Sequence, residues 1–274
     1  MAVLTFITQH ISTANATVYT FSSTSTGGAN DIGSLASDRQ VIIAACITNL
    51  TSATIGIESV TPGGVSAATA TQVHFTSTGD VGALRSLAHT LVNALLTTAT
   101  SISIVLTATT TAANAAIAVW SATHVGATFA THGTWATDSD GYISRVTATD
   151  AGMNVTVNTS GFFVAHAHAR CATGTPSFVW TDATERHDTS IGEGNSSHSG
   201  ADGTNTATVN CQISIGVTGG WWTGIWGAFD DQSPATGGET LYRRFTAFPG
   251  TLVGRRKLIT FPRPVYEWRP EVRP

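Results

Sequence analysis

Residues 40–47 have the sequence QVIIAACI, an almost unbroken apolar run that opens with one polar side chain. Its length and its β-branched residues favour a strand over a helix. A strand that is apolar without alternation is typical of one buried on both faces. The run therefore predicts a strand that is covered on both sides.

The sequence around this run alternates apolar and polar residues, which predicts further strands. Residues 83–96 fit two patterns. Leu84, Leu87, Leu91 and Leu95 have helical spacing, whereas a strand would place His89 and Leu91 on one face; the β-rich surroundings favour the strand. Residues 189–205 are rich in Gly, Ser and Asn and are predicted to be a surface loop. The other predicted strands span 3–7, 17–21, 55–60, 71–75, 101–107, 115–121, 155–157, 162–171, 178–180, 208–217 and 221–229.

The composition supports an all-β fold. Charged residues make up 11% of the 274-residue chain, against about 25% in an ordinary soluble domain, and Lys257 is its single lysine. Thr and Ser suit the outer faces of strands. No exact repeat is evident, and residues 123–135 do not resemble a linker. We therefore expect residues 1–232 to form a single large antiparallel β-sandwich of jelly-roll type.

The termini and the cysteines indicate folding in a cytoplasm. Residues 1–12 lack the features of a signal peptide, and no apolar run approaches the roughly 18 residues of a membrane helix. Three cysteines without a C-x-x-C pair predict buried free thiols rather than disulfides or zinc ligands. No cofactor is predicted. These thiols belong to Cys46, Cys171 and Cys211.

Residues 233–274 differ from the rest of the chain. From residue 243 onward there are eight basic and two acidic residues, with prolines spaced between them. Proline favours extended chain, so we expect a C-terminal arm without a core of its own. The arm is predicted to dock on an acidic protein surface, in preference to remaining solvated or binding nucleic acid. Its candidate docking residues are Arg243, Arg244, Arg255, Arg256, Lys257, Arg263, Trp268 and Arg269.

The strongest candidate for metal chemistry is the pair His166 and His168. Spacing of two places both imidazoles on one face of a strand, and His187 or His198 could supply a third ligand. The opposite face is small and apolar, so the histidine face is expected to meet solvent or a partner. This second interpretation is favoured, and no metal site is predicted.

Two further patterns have structural explanations that are favoured over chemistry. Residues 138–141 read DSDG, but the twelfth position of a calcium loop would be Thr149 instead of Glu. Acidic residues at 182, 185, 188 and 193 could pair for glycoside cleavage, but acidic residues at strand ends are usually solvated. Trp222 and Trp226 share a strand face and are candidates for a subunit contact or for stacking on a sugar.

Several segments together resemble structural proteins of tailed bacteriophages and prophages. They are ASDR at 36–39, SVTPGGVSAA at 59–68, the strand at 115–120, FVWTDATE at 178–185 and GRRK at 254–257. The resemblance implies a virion component that is not an enzyme, either a capsid decoration or a head or tail appendage. We expect a symmetric oligomer, preferably a trimer, which contacts other virion proteins and neither nucleic acid nor membrane. The alternatives are a carbohydrate- or receptor-binding module of a tail fibre that contacts a host-surface glycan and a polysaccharide-degrading or metal-dependent hydrolase.

Overall fold

The structure is a computed structural model that describes most of residues 2–232. The described part contains strands, turns and loops, and every pair of strands in it is antiparallel. None of it forms a helix of the length and apolarity that a membrane crossing needs. The predicted all-β class with antiparallel sheets is confirmed. The described residues are 2–22, 30–49, 54–77, 85–135, 142–143, 147–149, 153–155, 157, 161–171, 174–191, 195–204, 207–214 and 220–232.

The first half of the body contains the strands β1 to β8, which form two sheets. The strands are β1 Val3–Ser12, β2 Ala16–Phe21, β3 Gln40–Asn49, β4 Ile57–Pro62, β5 Ala68–Ser77, β6 Arg85–Leu95, β7 Ile104–Ala112 and β8 Asn114–Thr123. Sheet I has the order β2-β7-β4, and sheet II has the order β1-β8-β3-β6-β5.

The second half contains the strands β9 to β18 and two further sheets. The strands are β9 Thr131–Trp135, β10 Tyr142–Ile143, β11 Thr147–Thr149, β12 Met153–Val155, β13 Phe162–Cys171, β14 Ser177–Thr181, β15 Thr184–Ser190, β16 Ser196–Gly203, β17 Ala207–Ser214 and β18 Gly220–Phe229. In sheet III the order is β10-β18-β13-β16-β15, with β9 also paired to β18. In sheet IV, β17 pairs with β11, β12 and β14.

The two halves have the same strand order. Adding ten to the number of each strand from β3 to β8 converts the order 8-3-6-5 of sheet II into the order 18-13-16-15 of sheet III. The same shift converts the pair β7-β4 of sheet I into the pair β17-β14 of sheet IV. The short strands β9 to β12 take the places of β1 and β2. The fold is thus repeated along the chain, although its sequence shows no exact repeat.

Three apolar clusters hold the four sheets together as layers. One contains side chains from sheets I and II, such as Leu106 and Ile43. A second joins sheets II and III through residues such as Trp120 and Phe162. A third joins sheets III and IV through residues such as Ala165 and Phe178. Sheets II and III are therefore covered on both faces.

This layering explains the buried run with which the sequence analysis began. Every residue of β3 is buried, as its continuous apolar pattern predicts. A single two-sheet sandwich, the expected fold, leaves one face of each sheet in solvent and cannot cover β3 on both sides. The described residues instead form four sheets, and the second half of the chain supplies the additional cover.

Two local expectations have opposite outcomes. The ambiguous segment 83–96 contains the strand β6, with His89 and Leu91 in it, as the strand interpretation predicts. The predicted surface loop at 189–205 is wrong, because it contains the end of β15 and the strand β16, seven of whose eight residues are buried. The DSDG segment at 138–141 and the arm at 233–274 lie outside the described residues.

Candidate functional site

Five histidines meet between sheets II and III. Because side chains alternate along a strand, the odd-numbered residues of β13 face sheet IV, and the even-numbered ones, His166 and His168, face sheet II. His89 lies opposite them on β6, while His187 and His198 come from β15 and β16. We call these five residues the histidine cluster.

A continuous chain of polar contacts runs through the cluster. Nε2 of His198 lies 3.0 Å from Oε1 of Gln9, and Nδ1 of His198 lies 3.1 Å from Nε2 of His166. Nδ1 of His166 lies 2.7 Å from Nε2 of His89, whose Nδ1 is 3.1 Å from Oγ1 of Thr223. The chain therefore links β1 and β6 of sheet II to β13, β16 and β18 of sheet III.

His187 joins this chain from the side. Its Nε2 lies 3.4 Å from Nδ1 of His198, and its Nδ1 is buried without a hydrogen-bond partner. One ring nitrogen from each of His166, His187 and His198 lies within 4.8 Å of the other two. These three residues, which we call the histidine triad, are the described group that could hold a metal ion.

His168 belongs to the cluster but not to the triad. Its Nε2 lies 3.0 Å from Oγ of Ser196 and 3.3 Å from Oγ1 of Thr48. Its ring stands edge-on to His89, with 6.3 Å between the ring centroids. The sequence-level metal hypothesis paired His166 with His168, whereas the structure brings His166 together with His187 and His198.

Burial keeps the cluster uncharged. His89, His166, His168 and His198 have no solvent exposure. Burial, reinforced by the neighbouring imidazoles, lowers the pKa of His89, His166 and His198 far below the ordinary value. Burial, followed by the charge of Arg170, lowers the pKa of His168 to about 3, and burial lowers that of His187 to about 4. At neutral pH the cluster consists of neutral imidazoles that offer lone pairs.

Aromatic rings and a carboxylate close the site. Phe6 stacks on His187 at 5.5 Å and meets Trp120 edge-on at the same centroid distance. The indole Nε1 of Trp120 donates to Oδ2 of Asp202 at 2.9 Å. The same carboxylate accepts two hydrogen bonds from the guanidinium of Arg186, at 2.7 and 2.8 Å. These contacts tie sheet II to sheet III beside the triad.

The structure places several candidate residues inside the body rather than on its surface. The histidine face of β13 was expected to meet solvent or a partner; His166 and His168 are instead buried, because sheet II covers them. Trp222 is also fully buried and packs in the cluster between sheets III and IV. Trp226 is partly buried at the edge of that cluster. The arm residues from Arg243 to Arg269 lie outside the described part.

The remaining acidic candidates lie on and beside β15, where burial and then the charge of Asp188 raise the pKa of Glu185. Asp188 accepts a hydrogen bond from the backbone N–H of Phe178 at 3.0 Å, which gives it a structural role. Asp182 occupies a turn with a positive φ of 61°. Glu185 lies on the exposed part of β15.

Of the cysteines, Cys46 is buried and free as predicted, and burial raises the pKa of its thiol. Glu193 and the side chains of Cys171 and Cys211 lie outside the described part.

Sequence reasoning missed one member of the histidine cluster and the two residues that end its chain of polar contacts. His89 was assigned to a strand face but not to a site, and Gln9 and Thr223 were not singled out. His198 was considered as a third ligand but was placed in a loop. The signal that could have identified His89 is the two-residue period of a strand, which places His89 and Leu91 on the same face of β6. Leu91 packs against sheet III, so that face is the buried one.

The arrangement can bind a cation or hold a string of neutral hydrogen bonds. Four of its five histidines have no solvent exposure, and His187 is partly exposed. No protein-family model matches the chain, and no curated protein or solved structure matches it.

Proposed function

We propose that this chain is a non-enzymatic structural protein of a tailed-bacteriophage particle. It would be displayed on the head or tail as a symmetric oligomer, preferably a trimer. Its body would supply a rigid, closed building block, and residues 233–274 would dock on neighbouring subunits or on another virion protein.

The repeated strand order is the observation that carries the proposal. A jelly roll combines a sheet of order 1-8-3-6 with a sheet of order 2-7-4-5. The first half of the body has the orders 1-8-3-6 and 2-7-4, and β5 extends sheet II beside β6 instead of sheet I. The second half follows the same plan. Jelly rolls are common in viral capsid and lectin domains. This supports the jelly-roll assignment, and a tandem pair of such units suits a particle protein.

The closed interior supports a role without catalysis. Enzyme sites place titratable groups in a cleft that a substrate can enter. Here the densest group of histidines is sealed between two sheets, and four of its five members have no exposure. A second support is the small number of charged residues, which suits repeated packing of identical copies.

The arm has the charge expected of a docking device. It carries an excess of basic residues, whereas the rest of the chain is acidic, with fourteen of the seventeen acidic residues. Complementary charge speeds encounter and fixes orientation. The arm of one subunit would therefore find an acidic surface on the body of the next.

Truncation after Leu241 tests the proposal. We expect the full-length chain to form a defined oligomer in light scattering and the truncated chain to be a monomer with an unchanged melting temperature. A matched control replaces Arg255, Arg256 and Lys257 with Gln in the full-length chain. If charge drives docking, this variant should assemble more weakly than the wild type, and its assembly should depend less on salt concentration. An oligomer of the same mass after truncation would contradict the role assigned to the arm.

A glycan-binding module is the second candidate, because the same strand order occurs in lectin domains. Trp222 is buried and cannot stack on a sugar in this fold. Trp226 keeps partial exposure and is the remaining aromatic candidate of the two. Binding on a glycan array that Trp226→Ala abolishes at unchanged melting temperature would favour this candidate over the first.

A further inference from the structure

We propose that His166, His187 and His198 bind one zinc ion between sheets II and III. The three protein ligands would be neutral imidazoles, a water would complete the tetrahedron, and the ion would be a structural part of the body. This inference does not depend on the proposed virion role.

The spacing of the ring nitrogens fits zinc. Zinc bound at 2.0–2.1 Å in a tetrahedron places neighbouring nitrogen ligands about 3.3 Å apart. Nε2 of His166 and Nε2 of His187 lie 3.1 and 3.4 Å from Nδ1 of His198. One ring nitrogen from each of the three residues lies within 4.8 Å of the other two, and two of the three separations are already close to the zinc value.

Hydrogen bonding alone accounts poorly for this convergence. A neutral imidazole nitrogen has one lone pair and accepts one good hydrogen bond. Nδ1 of His198 is approached by two ring nitrogens, Nε2 of His166 and Nε2 of His187, which is one more than its single lone pair can serve well. A cation among the three nitrogens would use all three lone pairs at once.

The groups behind the triad would hold two ligands in the tautomer that zinc needs. Oε1 of Gln9 accepts the Nε2–H of His198 at 3.0 Å, which leaves Nδ1 of His198 as the ligand atom. If Nδ1 of His166 carries the proton, it donates to Nε2 of His89, and Nδ1–H of His89 donates to Thr223. Ligating histidines almost always have such an outer partner.

The location gives the ion a structural role. The three ligands belong to β13, β15 and β16 of sheet III, while Gln9 and His89, which orient them, belong to β1 and β6 of sheet II. The complete site therefore exists only when the two halves of the body pack together. Bound zinc would stabilise that packing, because a ligand that binds only the folded state raises its stability.

The first experiment measures metal in the untagged full-length protein, expressed in zinc-supplemented medium and dialysed against metal-free buffer. We expect about one zinc per chain by mass spectrometry. Protein expressed with Co²⁺ should show the visible absorption of a tetrahedral site. A zinc content near zero, together with no cobalt spectrum, would overturn the proposal.

His168 offers a matched control. It is as buried as His166 and His198 and belongs to the same cluster, but its Nε2 faces Thr48 and Ser196. His168→Gln should keep the zinc, whereas His198→Gln and His187→Gln should lose it. Equal zinc contents in the His168 and His187 variants would overturn the assignment.

Nitrogen-15 NMR of the wild-type protein distinguishes a zinc site from a series of hydrogen bonds without metal. This measurement does not depend on whether a variant folds. With zinc bound, His166 carries its proton on Nδ1. In a chain of hydrogen bonds from Thr223 to Gln9, His166 carries it on Nε2. A proton on Nε2 in zinc-loaded protein would overturn the proposal.

Discussion

Gly200 occupies the tightest position in the wall of the histidine triad. A Cβ atom built there would lie 2.5 Å from Cε1 of His187 and 3.0 Å from a ring carbon of Trp120. The residue opposite it on β13 is His166. Only the absence of a side chain lets a histidine from β15 and a tryptophan from sheet II approach the same point of β16.

Gly200→Ala should therefore destabilise the protein. The added methyl group must displace His187 or Trp120, and overpacking of this kind costs about 1–3 kcal/mol. Urea denaturation of Gly200→Ala and the wild type measures the cost. The matched control is Gly126→Ala, whose Cβ would meet its nearest neighbour at an ordinary 3.5 Å. Equal stability of the two variants would contradict the packing described here.

The strand β16 illustrates how an element can be misread from its composition. Its sequence SSHSGADG is typical of a loop, yet it lies between β13 and β15 with seven of its residues buried. Its small residues leave room for Trp120, His187 and Trp180, whose indole donates to Ser199 at 2.8 Å. The strand is polar because it receives hydrogen bonds from larger side chains on both sides.

Asp202, near the end of β16, accepts hydrogen bonds from Trp120 of sheet II and from Arg186 of β15. Asp202→Ala removes the acceptor for Arg186 and leaves the buried indole N–H of Trp120 unsatisfied. Loss of charged hydrogen bonds and an orphaned donor should cost about 3 kcal/mol in the free energy of unfolding. Asp202→Asn should cost less, because its carbonyl can still accept from Trp120.

Chemical denaturation checks this order. Glu58→Ala on the exposed side of β4 is the control and should change stability by less than about 0.5 kcal/mol. If Asp202→Ala matched this control, the carboxylate would have no role in joining the two sheets.

At the scale of the whole molecule, two half-bodies of the same strand order meet through sheets II and III. Their contact includes an apolar cluster with Phe162 and Phe229, and it also includes the histidine cluster. The buried histidines make the stability of this contact dependent on pH, because a proton cannot be added to them without charging the interior.

In the presence of a chelator, stability should be full above about pH 6.5 and should fall as the solution is acidified. The pKa of His168 is about 3 and that of His187 about 4 in the folded state, so below pH 6.5 the unfolded chain binds more protons. Each such histidine contributes a slope of about 1.4 kcal/mol per pH unit within this window. Urea midpoints between pH 4.5 and pH 8 measure the slope.

His168→Gln isolates the contribution of one histidine, since the other titrating groups remain in both proteins. Its slope between pH 4.5 and pH 6.5 should be smaller than that of the wild type. Identical slopes would mean that His168 takes up no additional proton on unfolding.

The amino-acid sequence determined the local features of this fold. Alternation located β6 and β13, and the apolar run at 40–47 correctly indicated a strand covered on both faces. These features depend on the side-chain period of two and on intrinsic strand preference, both of which are properties of a few consecutive residues.

The tertiary structure alone decided the number of layers, the burial of β16 and the membership of the histidine cluster. His89, His166 and His198 come from three strands that are distant along the chain, and their meeting depends on which sheet covers which. That choice reflects the apolar area that each face can bury against another face, a property of the assembled sheets. The sequence therefore marked His166 as lying on a polar face, and only the packing of a second sheet over that face made it part of a buried site.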